Sequence, residues 1–335
     1  MKPIICVPMG DPAGIGPEII VKSLTESDLF TRCKILVIGS ESFLKRAAEV
    51  CNRPVTIHKM SCSSHLSLVP GAINLLNRPL ADAGKIKPGE ISAAAGKASY
   101  QFIKEAVILA MSKKVDALAT TPINKESLKA AGIPHIGHTE MLAELTGSHD
   151  PLTLFQVKKL RVFFLSRHLS LREACNAVTE ERVYNYITRS INTLKSLGIT
   201  SPRLAVAGLN PHCGEHGLFG DEEDTAIVPA VNRASSKGLQ VCGPLPADSV
   251  FYQALSGKFD AVLSLYHDQG HIATKMVDFE RTISITCGLP FLRTSVDHGT
   301  AHDIAGTGTA SPVSMTEAIR LAAVYTNKIR KLKQP

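Results

Sequence analysis

Three stretches of this sequence place a histidine just after an apolar run. "LRVFFLS" leads to His168, "RLAVAGL" to His212, and "FDAVLSLY" to His267. Imidazoles delivered from three separate strand ends leave coordination positions open for water or substrate, as a catalytic metal ion requires. The same rings would serve as hydrogen-bonded loop histidines, and the residues alone leave both readings open. Asp248, in "PADSV", is a candidate fourth ligand or a group that orients one ring. His212/His216, His267/His271 and His298/His302 are also spaced i, i+4, the helical metal pair. Each pair encloses a glycine, which disfavours a helix interior by roughly 1 kcal/mol relative to alanine. The stretch "LYHDQGHIATK" is therefore read as a turn, with Gly270 at the bend and His271 structural or behind the ligands.

Anion handles come next. Lys275 and Arg293 flank "RTISITCG", and a cation pair near a metal suits a substrate with phosphate and carboxylate groups, because charge-assisted hydrogen bonds are the strong ones. Surface solvation is the plain alternative. His138 and Thr139 open "HTEMLAEL", where a helix N-terminus would attract an anion; Thr139 would otherwise act as a cap, with Glu140 in the first turn. "GDPAGIG" stands between strand and helix but lacks both the G-x-G-x-x-G and the G-K-[ST] spacing, so it reads as a tight turn.

Elements to position these residues are visible throughout. Apolar runs such as "IICVPM", "KILVIG", "VDALATT" and "RLAVAGL" alternate with helical patterns such as "PEIIVKSL" and "AAAGKASYQFIKEAVILAMSKK". Pro17 suits a first helical turn and Ser40 a cap. Such alternation predicts α/β architecture with a largely parallel sheet, whose ligands bind beyond the carboxyl ends of the strands. Residues 60–90, with several Ser, Pro and Gly, are the least regular part. With 335 residues the chain is long for one core, so two lobes are expected.

Composition narrows the class. Apolar residues at 44% and charged ones at 20% describe an ordinary globular protein. The net charge of +7 favours anionic substrates, and no dense Lys/Arg block suits nucleic acid. "TNKIRKLKQP" reads as a solvated helix end. The eight cysteines (Cys6, Cys33, Cys51, Cys62, Cys175, Cys213, Cys242, Cys287) are scattered without a C-x-x-C and read as reduced thiols. No apolar run approaches the roughly 18 residues of a membrane span, and the N-terminus lacks a signal-peptide pattern; the expected location is the cytoplasm, with no membrane partner.

Two stretches resemble a known enzyme group. "GDPAGIGPEII" resembles the opening of isocitrate and isopropylmalate dehydrogenases, and "DHGTAHDIAGTGTASP" (297–312) resembles their loop for the adenosine part of NAD. That likeness makes Asp297, His298, Gly299, Thr300 and Asp303 expected cofactor contacts. A closer resemblance spans nearly the whole chain. "MGDPAGIGPE", "GHTE", "GLNPHCGE", "GPLPAD", "YHDQG" and "GLPFLRTSVDHGTA" are together similar to the 4-hydroxythreonine-4-phosphate dehydrogenase (PdxA) family. "GHIATKMVDFERTISIT" is most like its D-threonate/D-erythronate 4-phosphate dehydrogenase branch (PdxA2).

The resemblance implies a two-lobed isocitrate/isopropylmalate dehydrogenase-like α/β fold, not a Rossmann fold, with the active-site cleft between lobes. Residues 1–135 plus 290–335 would carry the NAD adenosine loop, and 136–289 would form the metal, substrate and dimerisation lobe. It implies one divalent ion (Zn²⁺, Co²⁺, Mn²⁺ or Mg²⁺) per active site on His168, His212 and His267. His267 would come from the second subunit of a homodimer with active sites at its interface. His138, Thr139, Lys275 and Arg293 match substrate positions, and Ser284 stands where the vitamin B6 branch has asparagine. The implied reaction oxidises C3 of 4-phospho-D-threonate or 4-phospho-D-erythronate with NAD and then decarboxylates to dihydroxyacetone phosphate. The general base is unassigned, with Lys125, Asp248 and His138 as candidates. The alternatives are 4-phosphohydroxy-L-threonine as substrate in pyridoxine biosynthesis, a metal-dependent phosphohydrolase or aldolase without NAD, and a non-catalytic sugar-acid binder.

Overall fold

A computed structural model describes residues 1–26, 28–61, 66–135 and 137–332. The chain forms two compact units, Met1–Pro151 with Gly288–Arg330, and Leu152–Cys287. The strands of the first are β1 (Ile4–Pro8), β2 (Lys34–Gly39), β3 (Ile57–Met60), β4 (Ile73–Asn77), β5 (Ala117–Thr120) and, late in the chain, β12 (Leu292–Val296). They lie in the order β3-β4-β2-β1-β5-β12, and every pairing is parallel. β5 is buried along its whole length, as a parallel strand covered on both faces should be. The long helix Ala93–Met111 starts where the Ser92 hydroxyl accepts the Ala95 N–H at 3.2 Å, and its apolar side packs into this core.

In the second unit the strands are β6 (Leu152–Val157), β7 (Leu160–Phe164), β8 (Leu204–Ala207), β9 (Val241–Leu245), β10 (Ala261–Ser264) and β11 (Ile283–Cys287), ordered β11-β6-β7-β10-β8-β9. The expectation of a largely parallel sheet holds here too, with one local exception. β6 runs antiparallel to both neighbours, because the chain reverses tightly at Lys158 (φ 51°) instead of crossing over through a helix. The four strands β7-β10-β8-β9 pair in parallel.

One further local reading stands and one changes. Residues 60–90 are the least regular part, with β4 the main regular element among those described. The buried Asn74 organises its approach, accepting the Val69 N–H at 2.6 Å and donating to the Val69 and Ala72 carbonyls. The stretch after Leu265 is not a turn. A helix runs His267–Val277 with Gly270 inside it. A Cβ at Gly270 would stand 2.5 Å from Phe164 Cε1 and 2.8 Å from Ser264 Oγ. Close packing on β7 and β10 thus demands glycine there and outweighs its poor helix propensity.

Capping differs in detail. Ser40 occupies the cap position before Glu41–Val50, but its hydroxyl does not cap; it meets Ser42 Oγ at 3.0 Å. Thr139 is no cap, because the helix begins one residue earlier, after Gly137. Pro17 does sit in a first helical turn. The basic C-terminal stretch enters the helix Val313–Leu332, where Arg330 pairs with Asp116. The cysteines of the described residues are free thiols; Cys62 lies outside those residues. No helix of the described residues is long and apolar enough to cross a membrane.

Candidate active site

In the second unit, parallel pairing of β7, β10 and β8 sends all three chains out on the same edge of the sheet. His168 follows β7, His212 follows β8 and His267 follows β10, and all three side chains are exposed. Among the described residues no three His, Cys, Asp or Glu side chains of the one chain stand together as a metal-holding group.

Each histidine stands beside its own local device. His168 precedes a helix locked by a capping box, in which Ser170 and Glu173 bond reciprocally. His212 opens a run in which every residue through Gly217 has positive φ, four of them not glycine (His212, Cys213, Glu215, His216). Such backbone costs about 1 kcal/mol or more per non-glycine residue and persists only when its surroundings over-determine it. Glu223, 1% exposed, supplies that constraint. One carboxylate oxygen accepts the N–H groups of Leu209 and Asn210, each at 2.7 Å, and the other accepts from the Asn210 side chain at 2.8 Å. His267 Nδ1 bonds Asp268 Oδ1 at 2.6 Å, which fixes the ring and leaves Nε2 outward, as carboxylate-oriented metal ligands commonly are.

The helix after β10 sets His267, His271 and Lys275 four residues apart on one face. The His267 and His271 ring centroids are 4.1 Å apart. The i, i+4 pair set aside on account of Gly270 is therefore a real helical pair. His271 is an unsuited second ligand, because it is buried between Phe155 and Phe164. Burial first, then the nearby His267, Lys275 and Arg167, push its pKa down to about 4. Lys275 reaches over the Phe279 ring. Ser284 sits in β11 opposite Phe155, buried. Asp248 is exposed in the first turn of Ala247–Leu255, where its charge, like that of Glu223, helps raise the Cys213 thiol pKa behind the larger effect of burial.

The first unit holds the other candidates. Arg293 in β12 is 4% exposed, and its Nε and Nη2 donate to Thr120 Oγ1 at 3.0 and 2.7 Å. Burial pushes its pKa down to about 9, which still leaves it cationic at neutral pH. His138 opens the helix His138–Thr146. Its pKa is driven well below 6.5 by burial and then by the Arg293 charge, so the ring is neutral, and its Nε2 is buried without a hydrogen-bond partner. Thr139 is half-buried beside it. A buried cation, a neutral imidazole with an unused nitrogen and a helix N-terminus together make a place for an anion.

Two comparisons decide the kinship. The family described as "Pyridoxal phosphate biosynthetic protein PdxA" matches residues 31–322. A protein of Clostridium botulinum (strain Hall), named "Putative D-threonate 4-phosphate dehydrogenase", is 54% identical over 330 residues, 98% of this chain and 99% of its own. This chain belongs to the PdxA family. A Symbiobacterium thermophilum protein of the same name is also 54% identical, covering 99% of both chains. The crystal structure of 4-hydroxythreonine-4-phosphate dehydrogenase from Klebsiella pneumoniae superposes with a TM-score of 0.89 at 43% identity, over 97% of this chain and 98% of that one. The mixed α/β fold described above is thus the PdxA fold.

Several supports in this PdxA chain escape a linear reading. Glu18, in "GPE", accepts the N–H groups of Gly306 and Gly308 at 2.6 and 2.8 Å, while Lys22 donates to the Gly308 and Ala310 carbonyls. Helix Gly16–Thr25 thereby clamps the 297–312 loop. Gly14 completes the closure, since a Cβ there would meet Thr300 Cβ at 2.8 Å. Asp11 is fully buried; burial raises its carboxyl pKa, and Ala13 N–H, His302 and Ser127 partly offset this. Asp297 and His298 are half-buried, Thr300 is buried, and Gly299 and Asp303 are exposed. His302 Nε2 is buried without a partner. Lys125 is exposed at the start of Lys125–Ala130. Glu18 and Glu223 had no local signal, because their partners are loop amides.

Proposed function

We propose that this protein is an NAD- and divalent-metal-dependent dehydrogenase. On this reading it oxidises the C3 hydroxyl of 4-phospho-D-threonate or 4-phospho-D-erythronate and releases CO₂ to leave dihydroxyacetone phosphate. The observation that carries it is Arg293, the only buried arginine or lysine among the described residues, beside the neutral His138. Burying a guanidinium is costly, and a doubly anionic small acid repays it. The names of the 54%-identical relatives support the choice of acid. The name of the Klebsiella protein favours 4-phosphohydroxy-L-threonine as the second reading.

The donor sets fit both absent groups. Three exposed imidazoles at neighbouring strand ends, one oriented by Asp268, suit a first-row divalent ion. The clamped 297–312 loop, with the buried unpartnered His302 nitrogen, suits a polar dinucleotide held by Asp297, His298, Gly299, Thr300 and Asp303. NAD supplies the hydride acceptor, and the cation supplies positive charge that lowers the cost of negative charge on the reacting oxygen. This chain's own residues bind and orient. Arg293 and Lys275 grip the phosphate or carboxylate, so that binding energy remote from C3 fixes its position. His138 Nε2, Thr139 and the first amides of their helix add hydrogen bonds, and Ser284 offers only a hydroxyl where an amine-bearing substrate would need more. Lys125 and Asp248, both exposed, remain the candidates for the proton acceptor alongside His138.

The proposed homodimer has support in the second unit. Ile272, Met276 and Phe279, on and just after the helix that begins with His267, are exposed apolar side chains there, of the kind a subunit interface would cover. A shared site makes a stoichiometric prediction. Mixed and reassembled His212→Ala and His267→Ala subunits, each inactive alone, should recover about a quarter of wild-type activity, because half the dimers then hold one intact site. No recovery would place all ligands on one chain.

The reaction itself is tested by absorbance at 340 nm with NAD, a metal panel and the three phosphorylated acids side by side. The reading expects turnover on threonate or erythronate phosphate, with metal dependence. Turnover on hydroxythreonine phosphate alone would favour the second reading. Cleavage without NADH formation would favour a phosphohydrolase or aldolase.

A further inference from the structure

The three histidine-bearing strand ends are not independent loops. Ser166, buried two residues before His168, donates to the Leu265 carbonyl at 2.9 Å. The Leu265 N–H, two residues before His267, donates to Gln269 Oε1 at 2.8 Å. Gln269 Nε2 donates in turn to the Gly208 carbonyl at 2.8 Å, where the chain leaves β8 toward His212. Gly208 is anchored on its other side through its N–H to the Leu245 carbonyl at 2.8 Å. One line of hydrogen bonds therefore crosses from the end of β7 through β10 to β8. Its hub is a single buried side chain that uses both ends of its amide.

We propose that Gln269 is a positioning residue that laces the three strand ends, and so holds His168 and His212 for one site and, in the proposed homodimer, His267 for the neighbouring one. The amide is the suited group. It must accept from one backbone N–H and donate to a backbone carbonyl, which neither a carboxylate nor a hydrocarbon of the same length can do. Gln269 stands on the helix whose Gly270 brings it flush against Phe164, so its reach is fixed by packing. The strained His212 turn, held by Glu223 on its far side, is held by Gln269 on its near side. The inference rests on these histidines being ligands, and its test separates the two ideas.

Gln269→Met keeps the length and removes both bonds; Ser166→Ala cuts the lace at one edge with less disturbance. In metal-stripped full-length protein, hydrogen–deuterium exchange at the Leu265 amide should rise about tenfold or more in Gln269→Met. Gln253→Met, which alters a glutamine bonded to Ser249 on a neighbouring helix, should leave it unchanged. Cobalt titrated into the stripped proteins should bind about 10–100-fold more weakly in Gln269→Met, with a smaller loss in Ser166→Ala. Unchanged exchange at Leu265 would overturn the lace. Raised exchange with unchanged cobalt affinity would overturn its positioning role. A wild-type protein that binds no cobalt would instead sink the ligand reading, while the exchange result still decides the lace. Should Gln269→Met fail to fold, Ser166→Ala decides by cobalt affinity, and an affinity equal to wild type would overturn the positioning role.

Discussion

The unit Met1–Pro151 with Gly288–Arg330 buries the cation of its candidate anion place, whereas Leu152–Cys287 exposes its three candidate metal ligands. In the first, Arg293, His138 and Asp11 have pKa values displaced by desolvation. In the second, His168, His212 and His267 stand in the open, and the unusual feature is backbone: a left-handed turn and a lace of hydrogen bonds. The difference teaches what each unit suits. Desolvated charge is strong at short range and suits an anion that enters and displaces water. Accessible imidazoles on a rigid backbone suit a cation whose geometry must be set by the protein.

The sharpest break in that comparison is His212→Ala. Turnover should fall about a thousandfold or more and metal binding should vanish, with circular dichroism unchanged. Full activity in metal-stripped buffer would erase the distinction between the units. Arg293→Met should come next, raising KM for the phosphorylated acid about 10–100-fold, the weight of charge-assisted hydrogen bonds. An unchanged KM would make the buried cation structural. Gly270→Ala probes the backbone side. Although alanine is the better helix former, overpacking against Phe164 and Ser264 should destabilise by about 1–3 kcal/mol in urea unfolding; a more stable variant would show that the helix has room to move.

The smallest effect concerns pH. His138 has a native pKa below its ordinary 6.5, so above pH 6.5 both states are neutral and nothing is lost. As pH falls, the unfolded chain takes a proton that the native site refuses, and stability drops. Urea midpoints compared at about pH 7.5 and about pH 5 should therefore fall further for wild type than for His138→Gln. Equal drops would place His138 in solvent and remove it from the buried set.

Legibility follows the range of the interactions. The alternation of strands and helices, Pro17 in its first turn and the post-strand placement of the histidines are local patterns, and they are present as read. The reversed direction of β6 is not legible, because it depends on how the chain turns back at Lys158, which a residue's own polarity does not encode. The helix at His267 is not legible, because propensity scores Gly270 alone, while Phe164 decides what fits beside it. Glu223 and Gln269 were invisible, since a glutamate fourteen residues from Leu209 or a glutamine sixty-one from Gly208 looks like surface polarity in a linear text.

By itself the sequence determined the α/β class, the family and the strand ends where polar residues gather, because apolar periodicity and motif spacing are carried by neighbours along the chain. Only the tertiary structure decided which of those residues are desolvated, which lie on a common helix face and which backbone segments are tied together. Burial and hydrogen bonding between distant segments exist only once the sheet has brought their strands side by side.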